Sequence, residues 1–319
     1  MKSFYVKITA MSERIVFMGS PGFAVPILQA LYEDFTVVGA ITQPDRPAGR
    51  GKALTPPPVK VLAAEFSLPV IQPVRLKDTG VLEQIKGWNP DVIIVAAFGQ
   101  ILRQNVLDLP PFGCINVHAS LLPRWRGATP IQAALLAGDN STGISIMKMD
   151  SGIDTGGVFI QEEVRIEGQD TAETLGNRLA ERGAHLLVET LPLILQGRKT
   201  ANLQDEMRAT YAPKIEKEEG LLRFLETAAV LERKVRAFHP WPGTFFELDG
   251  KMCKVIKVRE AKPGSLLPGK TGVLSGLPAI GTLEGDLIIE QLQPAGKKVM
   301  NGDVFLHGYR QWDKVFLGK

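Results

Sequence analysis

Short, nearly unbroken apolar runs recur through the first two-thirds of the chain. They are RIVFMG (Arg14 to Gly19), TVVGAIT (Thr36 to Thr42), LPVIQ (Leu68 to Gln72), DVIIVAAFG (Asp91 to Gly99), CINVHA (Cys114 to Ala119) and GISIMKM (Gly143 to Met149). β-Branched residues are frequent in them, and an apolar run without polar alternation predicts a strand covered on both faces. Between the runs, Phe23 to Tyr32, Val59 to Glu65, Val81 to Lys86 and Ile131 to Ala137 read as helices. Thr171 opens a long amphipathic helix that extends to about Leu195. Alternation of strands and helices predicts right-handed crossovers and an α/β fold: a Rossmann-like, open, mostly parallel sheet with helices on both faces.

The pattern then changes. Residues 198–216 are polar and poorly periodic, which predicts a linker. One helix follows, Glu226 to Phe238, and then the short runs TFFEL, CKVIKV, TGVL and LIIEQLQ, punctuated by glycine and proline. Such spacing predicts a small antiparallel barrel or sandwich. The expected organisation is a first domain over 11–197, the linker, and a C-terminal domain over 217–319. The leading MKSFYVKITA precedes Met11, and residues 1–10 read as an extension before a natural start at Met11.

At 319 residues, 45% of them hydrophobic, the chain is long enough for two cores. Its longest apolar run, Val92 to Phe98, is far too short to span a bilayer, and no secretory signal pattern opens the chain. Cys114 and Cys253 lie far apart with no metal-ligand spacing, which suits a reducing, cytoplasmic setting without a bound metal. Charge is spread unevenly: residues 1–197 hold 17 Lys and Arg against 19 Asp and Glu, whereas 198–319 hold 20 against 15. A basic C-terminal part predicts a polyanionic partner; the plainer alternative is a solvated, lysine-rich surface.

Three segments hold candidate chemistry. Gly19-Ser20-Pro21-Gly22 follows the first strand but lacks the G-x-G-x-x-G spacing of a dinucleotide site, and Pro21 removes a backbone donor, so a packing turn is the better reading. Gln43 to Lys60 is a longer connection than strands and helices usually need, and it places Arg46, Arg50 and Lys52 where they can follow a phosphate chain. CINVHASLLPRWRG is the most informative. The two-residue period of a strand puts Asn116 and His118 on one face, at the carboxyl edge where open α/β sheets bind ligands.

A buried histidine is more often a satisfied core residue than a catalyst. Here Asn116 adds an amide donor suited to a developing oxyanion, and Ser120-Leu121-Leu122-Pro123 forms a stiff ledge for a flat heterocycle. MDSGIDTG, Met149 to Gly156, follows the next strand at what is expected to be the same sheet edge, and it can fold Asp154 towards His118. Asn, His and Asp around one cleft suggest group transfer to an amine. Neither Ser120 nor Cys114 has the setting of a nucleophile, so transfer would be direct. Arg124 and Arg126 either meet terminal phosphates or face solvent.

NVHASLLPRWRG, the later DSGIDTG and their spacing resemble the folate-dependent formyltransferases. The resemblance implies that Asn116, His118 and Asp154 are the catalytic triad and that Ser120, Leu121, Leu122 and Pro123 bind tetrahydrofolate. It implies transfer of a formyl group from 10-formyltetrahydrofolate to an amine through a tetrahedral intermediate. QPDRPAGRGK, PAGKK (Pro294 to Lys298) and FHPWP (Phe238 to Pro242) resemble the family members that act on initiator methionyl-tRNA. In those members the inserted loop meets the acceptor stem, and an OB-like C-terminal barrel binds the inside of the tRNA. Arg46, Arg50, Lys52, Lys297 and Lys298 are the implied tRNA contacts, on a monomer. Alternatives are a formyltransferase for another amine, such as glycinamide ribonucleotide or an amino sugar, and a non-catalytic tRNA-binding protein.

Overall fold

The computed structural model describes residues 11–48, 53–78 and 80–317. The described residues form two compact units. One comprises the described residues up to Pro130 with Ser141–Arg165 and Gly176–Ala212; the other comprises Ile131–Asn140, Ile166–Leu175 and the described residues from Pro213 onward. No helix among the described residues is long and apolar enough to cross a membrane.

The first unit is built on a seven-stranded sheet. Its strands are β1 (Met11–Gly19), β2 (Phe35–Ile41), β5 (Val70–Ile71), β6 (Val92–Ala96), β7 (Cys114–His118), β9 (Ser141–Lys148) and β10 (Val158–Arg165), in the order β10-β9-β7-β6-β1-β2-β5. The short hairpin β3 (Arg46–Ala48) and β4 (Ala53–Thr55) stands apart from it, and β8 (Arg126–Gly127) pairs in parallel with β11 (Tyr211–Ala212). Helices α1 (Val25–Asp34), α2 (Pro58–Glu65), α3 (Val81–Gly87) and α4 (Gln104–Leu107) connect the parallel strands. β6 and β7 are buried at every position, because strands sheltered on both faces carry apolar residues without alternation. Val16, Met18, Ile41, Ile93 and Val95 meet Ile85 and Val106 in one core.

Five strands run parallel, β7-β6-β1-β2-β5, as the alternation of elements requires. The strand expected at Gly143 to Met149 departs from the parallel set: β9 lies antiparallel to β7, with Ile115 opposite Lys148 and His118 opposite Ser145. The loop after β9 therefore begins beside the start of β7, not at the carboxyl edge expected from the sequence. It reaches Asn116 and His118 only by folding back. β10, which the apolar runs do not predict, completes an antiparallel edge. Its exposure alternates along VFIQEEVR, the mark of a strand with one solvated face.

In the second unit, β12 (Thr244–Leu248), β13 (Lys251–Ala261), β14 (Thr271–Leu274), β15 (Leu277–Gly281) and β16 (Asp286–Gln293) form an antiparallel sheet in the order β12-β13-β16-β15-β14. β17 (Met300–Asn301) pairs with β16. Helix α7 (Ala228–Ala237), capped by the Thr227 hydroxyl, and α8 (Gly302–Gly308) belong to this unit. Leu231, Val235, Phe246, Ile289, Phe305 and Trp312 share its core. The remaining helices are α5 (Pro130–Ala137) and the long α6 (Ala172–Leu195).

Candidate active site

β7 ends on His118, and alternation along the strand puts Asn116 on the same face. Both are nearly enclosed, at 8% exposure for Asn116 and 5% for His118. Asp154 lies over that face. Its Oδ1 is 3.4 Å from Asn116 Nδ2, and its Oδ2 is 3.6 Å from His118 Nδ1 and accepts the Gly127 N–H at 2.8 Å. His118 Nε2 donates to the Trp125 carbonyl at 3.0 Å. The proton on Nε2 is thus committed to a backbone oxygen, and Nδ1 is the ring edge turned towards the carboxylate. In the imidazolium both ring nitrogens face an acceptor. In the neutral ring a bare lone pair on Nδ1 would face Asp154.

Asp154 reaches this position in a loop with little freedom. Its own φ is +52°, in the left-handed region that is uncommon for residues other than glycine, asparagine and aspartate. At Gly156 a Cβ would stand 1.8 Å from the Lys148 carbonyl, so glycine alone permits the chain to pass there. The Thr155 hydroxyl and Gly152 N–H bond to Asp150 and close the turn.

The ledge after β7 is anchored from below. Ser120 and Leu122 are buried, and Ser120 Oγ donates to the Arg124 carbonyl. The Ser145 hydroxyl, from the middle of β9, donates to the Ser120 carbonyl and accepts the Leu122 N–H; Gln161 of β10 donates to the Leu122 carbonyl at 2.8 Å. Leu121 and Pro123 are half-buried and supply the apolar surface of the ledge. Leu121 sits directly on Gly143, where an added Cβ would come within 2.5 Å of its Cδ2. Ser145 and Gln161 carry no local signal in the sequence; their role follows from the antiparallel edge.

Arg126 meets neither alternative left open for it. It is 0% exposed, and its guanidinium holds both carboxylate oxygens of Glu206 at 2.7 and 2.8 Å and the Gln204 Oε1 at 2.9 and 3.0 Å. Hydrogen bonding to Glu206 raises its already high pKa against the opposing desolvation, with Tyr211 adding to the rise. Arg124 is exposed, with its guanidinium carbon 4.4 Å from the centroid of the Trp125 ring.

Part of the stretch expected to be a linker is fastened to this site. Asn202 bridges to Val158, Thr210 accepts through Oγ1 from Trp125 N–H and through its carbonyl from Arg126 N–H, and Ala212 accepts the Ala128 N–H. Gln204 donates to the carbonyls of Asp154 and Gly156, each at 2.7 Å. Cys114, at the start of β7, is a core residue whose burial pushes the thiol up to about 12, with Asp108 contributing, so it is no thiolate at neutral pH.

Of the basic residues expected to contact a polyanion, Arg46 is exposed on β3 and donates to Gln43 Oε1 at 3.2 Å. Arg50 and Lys52 lie outside the described residues. Lys297 and Lys298 are both exposed, between β16 and β17.

The chain matches two family models, Formyl transferase over residues 13–191 and Formyl transferase, C-terminal domain, over 214–310. It is 48% identical over 314 residues to the methionyl-tRNA formyltransferase of Nitrosococcus oceani, covering 96% of each chain. It is 45% identical over 303 residues to that of Geotalea daltonii, covering 93% of this chain and 96% of the relative. Among solved structures, the sugar 3N-formyl transferase WlaRD, in the presence of dTDP and 5-N-formyl-THF, shares the fold at a TM-score of 0.64 and 18% identity, over 90% of this chain and 99% of that one. The chain belongs to the formyl transferase family, in its methionyl-tRNA formyltransferase group.

Proposed function

We propose that this enzyme transfers the formyl group of 10-formyltetrahydrofolate to the α-amine of initiator methionyl-tRNA by direct attack. The observation that carries the reading is the convergence of the Asn116 amide, the Nδ1 edge of His118 and the Asp154 carboxylate on one enclosed spot. A carbonyl oxygen placed there gains negative charge as the amine adds to the formyl carbon. The second N–H of Asn116 is the donor for it, and a protonated His118, whose two N–H groups face the Trp125 carbonyl and Asp154, adds positive charge beside it. Asp154 balances the imidazolium charge and orients the ring. The tetrahedral centre then collapses, breaking the bond from the formyl carbon to N10 of the folate, which takes up a proton as it leaves. The amine loses its proton in forming the formamide.

Ser120 to Pro123 fit the folate as a ledge: Leu121 and Pro123 offer apolar surface, while Ser120 and Leu122 hold it rigid from beneath. In this reading residues 11–197 form the catalytic, folate-binding domain, and 217–319 form the tRNA-binding domain, with Arg46, Arg50, Lys52, Lys297 and Lys298 on phosphates. The name shared by relatives at 45% and 48% identity over nearly the whole chain supports the tRNA substrate.

The test is incubation with 10-formyltetrahydrofolate and charged initiator tRNA, scoring N-formylmethionine after deacylation. Parallel reactions with glycinamide ribonucleotide and a dTDP-amino sugar are expected to give no product. Formylation of either in preference to the tRNA overturns the substrate assignment.

A further inference from the structure

We propose that Gln204 is a positioning residue for formyl transfer, acting through Asp154, and that the Arg126–Glu206 pair holds it in register. The inference rests on the reading above that Asp154 serves the reaction. Gln204 is one side chain with two opposed tasks. Its Nε2 donates to the carbonyls of Asp154 and Gly156, both at 2.7 Å, so two oxygens on the site loop must converge on one nitrogen. Its Oε1 accepts from Nε and Nη2 of Arg126 at 3.0 and 2.9 Å. Arginine has no acceptor, so the amide can face only one way.

Arg126 is fixed in turn. It is wholly enclosed, and Glu206 grips it with both oxygens. Arg126 also neighbours Gly127, whose N–H holds the Asp154 carboxylate at 2.8 Å. Asp154 is therefore held at two points that share one short segment: its carboxylate directly by the Gly127 backbone, its carbonyl through Gln204 from the Arg126 side chain. These two anchors and the Asn116 amide, 3.4 Å from Oδ1, hold the carboxylate on a backbone whose φ is +52°. With Gln204 removed, the carboxylate keeps its contacts with Gly127 N–H and the Asn116 amide, but the backbone that carries it loses its anchor, and with it the fixed orientation to His118 Nδ1, now 3.6 Å away. Misplacement on the scale of 1 Å at a reacting centre costs roughly 100-fold in rate.

The experiment is a double-mutant cycle on the full chain, with Gln204→Met, Asp154→Ala and the pair, measuring kcat and both KM values with 10-formyltetrahydrofolate and charged initiator tRNA. Gln204→Met is expected to lower kcat by about 10- to 100-fold with each KM within about threefold. In the Asp154→Ala background it is expected to cost less than about twofold, because the group it positions is gone. A multiplicative loss in the double variant, or an unchanged kcat in the single one, overturns the proposal while leaving Asp154's own role standing. If Asp154→Ala by itself costs nothing, the underlying reading of the site fails first, and the positioning role with it.

Should Gln204→Met not fold, Glu206→Gln carries the same cycle from an exposed side chain: a loss of about three- to tenfold alone and none beside Asp154→Ala. Equal losses in the two backgrounds overturn the proposal.

Discussion

Arg126 and the pair Lys297–Lys298 carry the same sign of charge and are handled in opposite ways. Arg126 is fully enclosed, bound by a carboxylate and an amide, and adjoins the Gly127 N–H that holds Asp154. Lys297 and Lys298 stand exposed between two strands, and among the described residues neither ammonium has a carboxylate in ion-pair reach. A buried cation is costly unless its partners are already in place, so it suits the fixing of geometry. An exposed cation is hydrated and mobile, which suits a backbone of phosphates that arrives from solution. The difference separates residues whose loss should alter the chemical step from those whose loss should alter capture.

The largest effects should come from the enclosed set. On the proposed mechanism, His118→Ala and Asp154→Ala should each remove an interaction that strengthens in the transition state, at about 2–4 kcal/mol apiece, or roughly 30- to 1000-fold in kcat. Binding of the charged tRNA should stay within about threefold. Single-turnover formylation at saturating tRNA measures this directly, and a loss of tenfold or less would remove the residue from the reaction. Substitutions within the exposed set should leave that single-turnover rate untouched.

The two sets are also unequally legible in the sequence. Asn116 and His118 can be read together because a strand repeats every two residues and places both on one face. Asp154 can be brought near them because a glycine-rich turn follows the next apolar run. The direction of that run cannot be read: GISIMKM is equally apolar in a parallel or an antiparallel strand, and only the pairing of Ile115 with Lys148 decides. With the direction go Ser145 and Gln161, which hold the ledge from the antiparallel edge.

Arg126 and Gln204 are 78 residues apart, and no local pattern links them. A polar, poorly periodic stretch such as 198–216 reads as a linker when its partners are out of sight. The exposed cations are visible as composition, since hydrated charges obey no periodicity that needs decoding.

Smaller effects are expected from the cations assigned to phosphates. Arg50→Ala should weaken use of initiator tRNA and leave folate binding unchanged, read as separate KM and Kd values. Lys297→Ala combined with Lys298→Ala should weaken tRNA affinity and make its salt dependence shallower, by about one unit of log–log slope for each phosphate that is no longer neutralised. An unchanged slope in the double variant would place these lysines off the tRNA. A slower single-turnover rate at saturating tRNA would break the division between capture and chemistry.

The smallest expected effect lies where the enclosed set touches solvent. The side chain of Glu206 is 66% exposed although the arginine it grips is fully buried. Hydrogen bonds from Arg126 hold its carboxyl below the ordinary 4.5, against desolvation and helped by the arginine's charge. A carboxyl lowered in the folded state stabilises the fold above its unfolded value, and that contribution fades as pH falls through the lowered value. The Tm of the native protein should therefore exceed that of Glu206→Gln by roughly a few degrees or less at pH 7, and the gap should narrow as pH falls below the ordinary 4.5. Thermal unfolding of both proteins from pH 7 to pH 3 measures this. Water screens the exposed side of the pair and keeps the gap small. A gap that persists unchanged at pH 3 would mean that the glutamate acts through shape and not charge. Arg126 would then owe its enclosure to Gln204 and Tyr211, and the contrast with Lys297 and Lys298 would rest on packing instead of pairing.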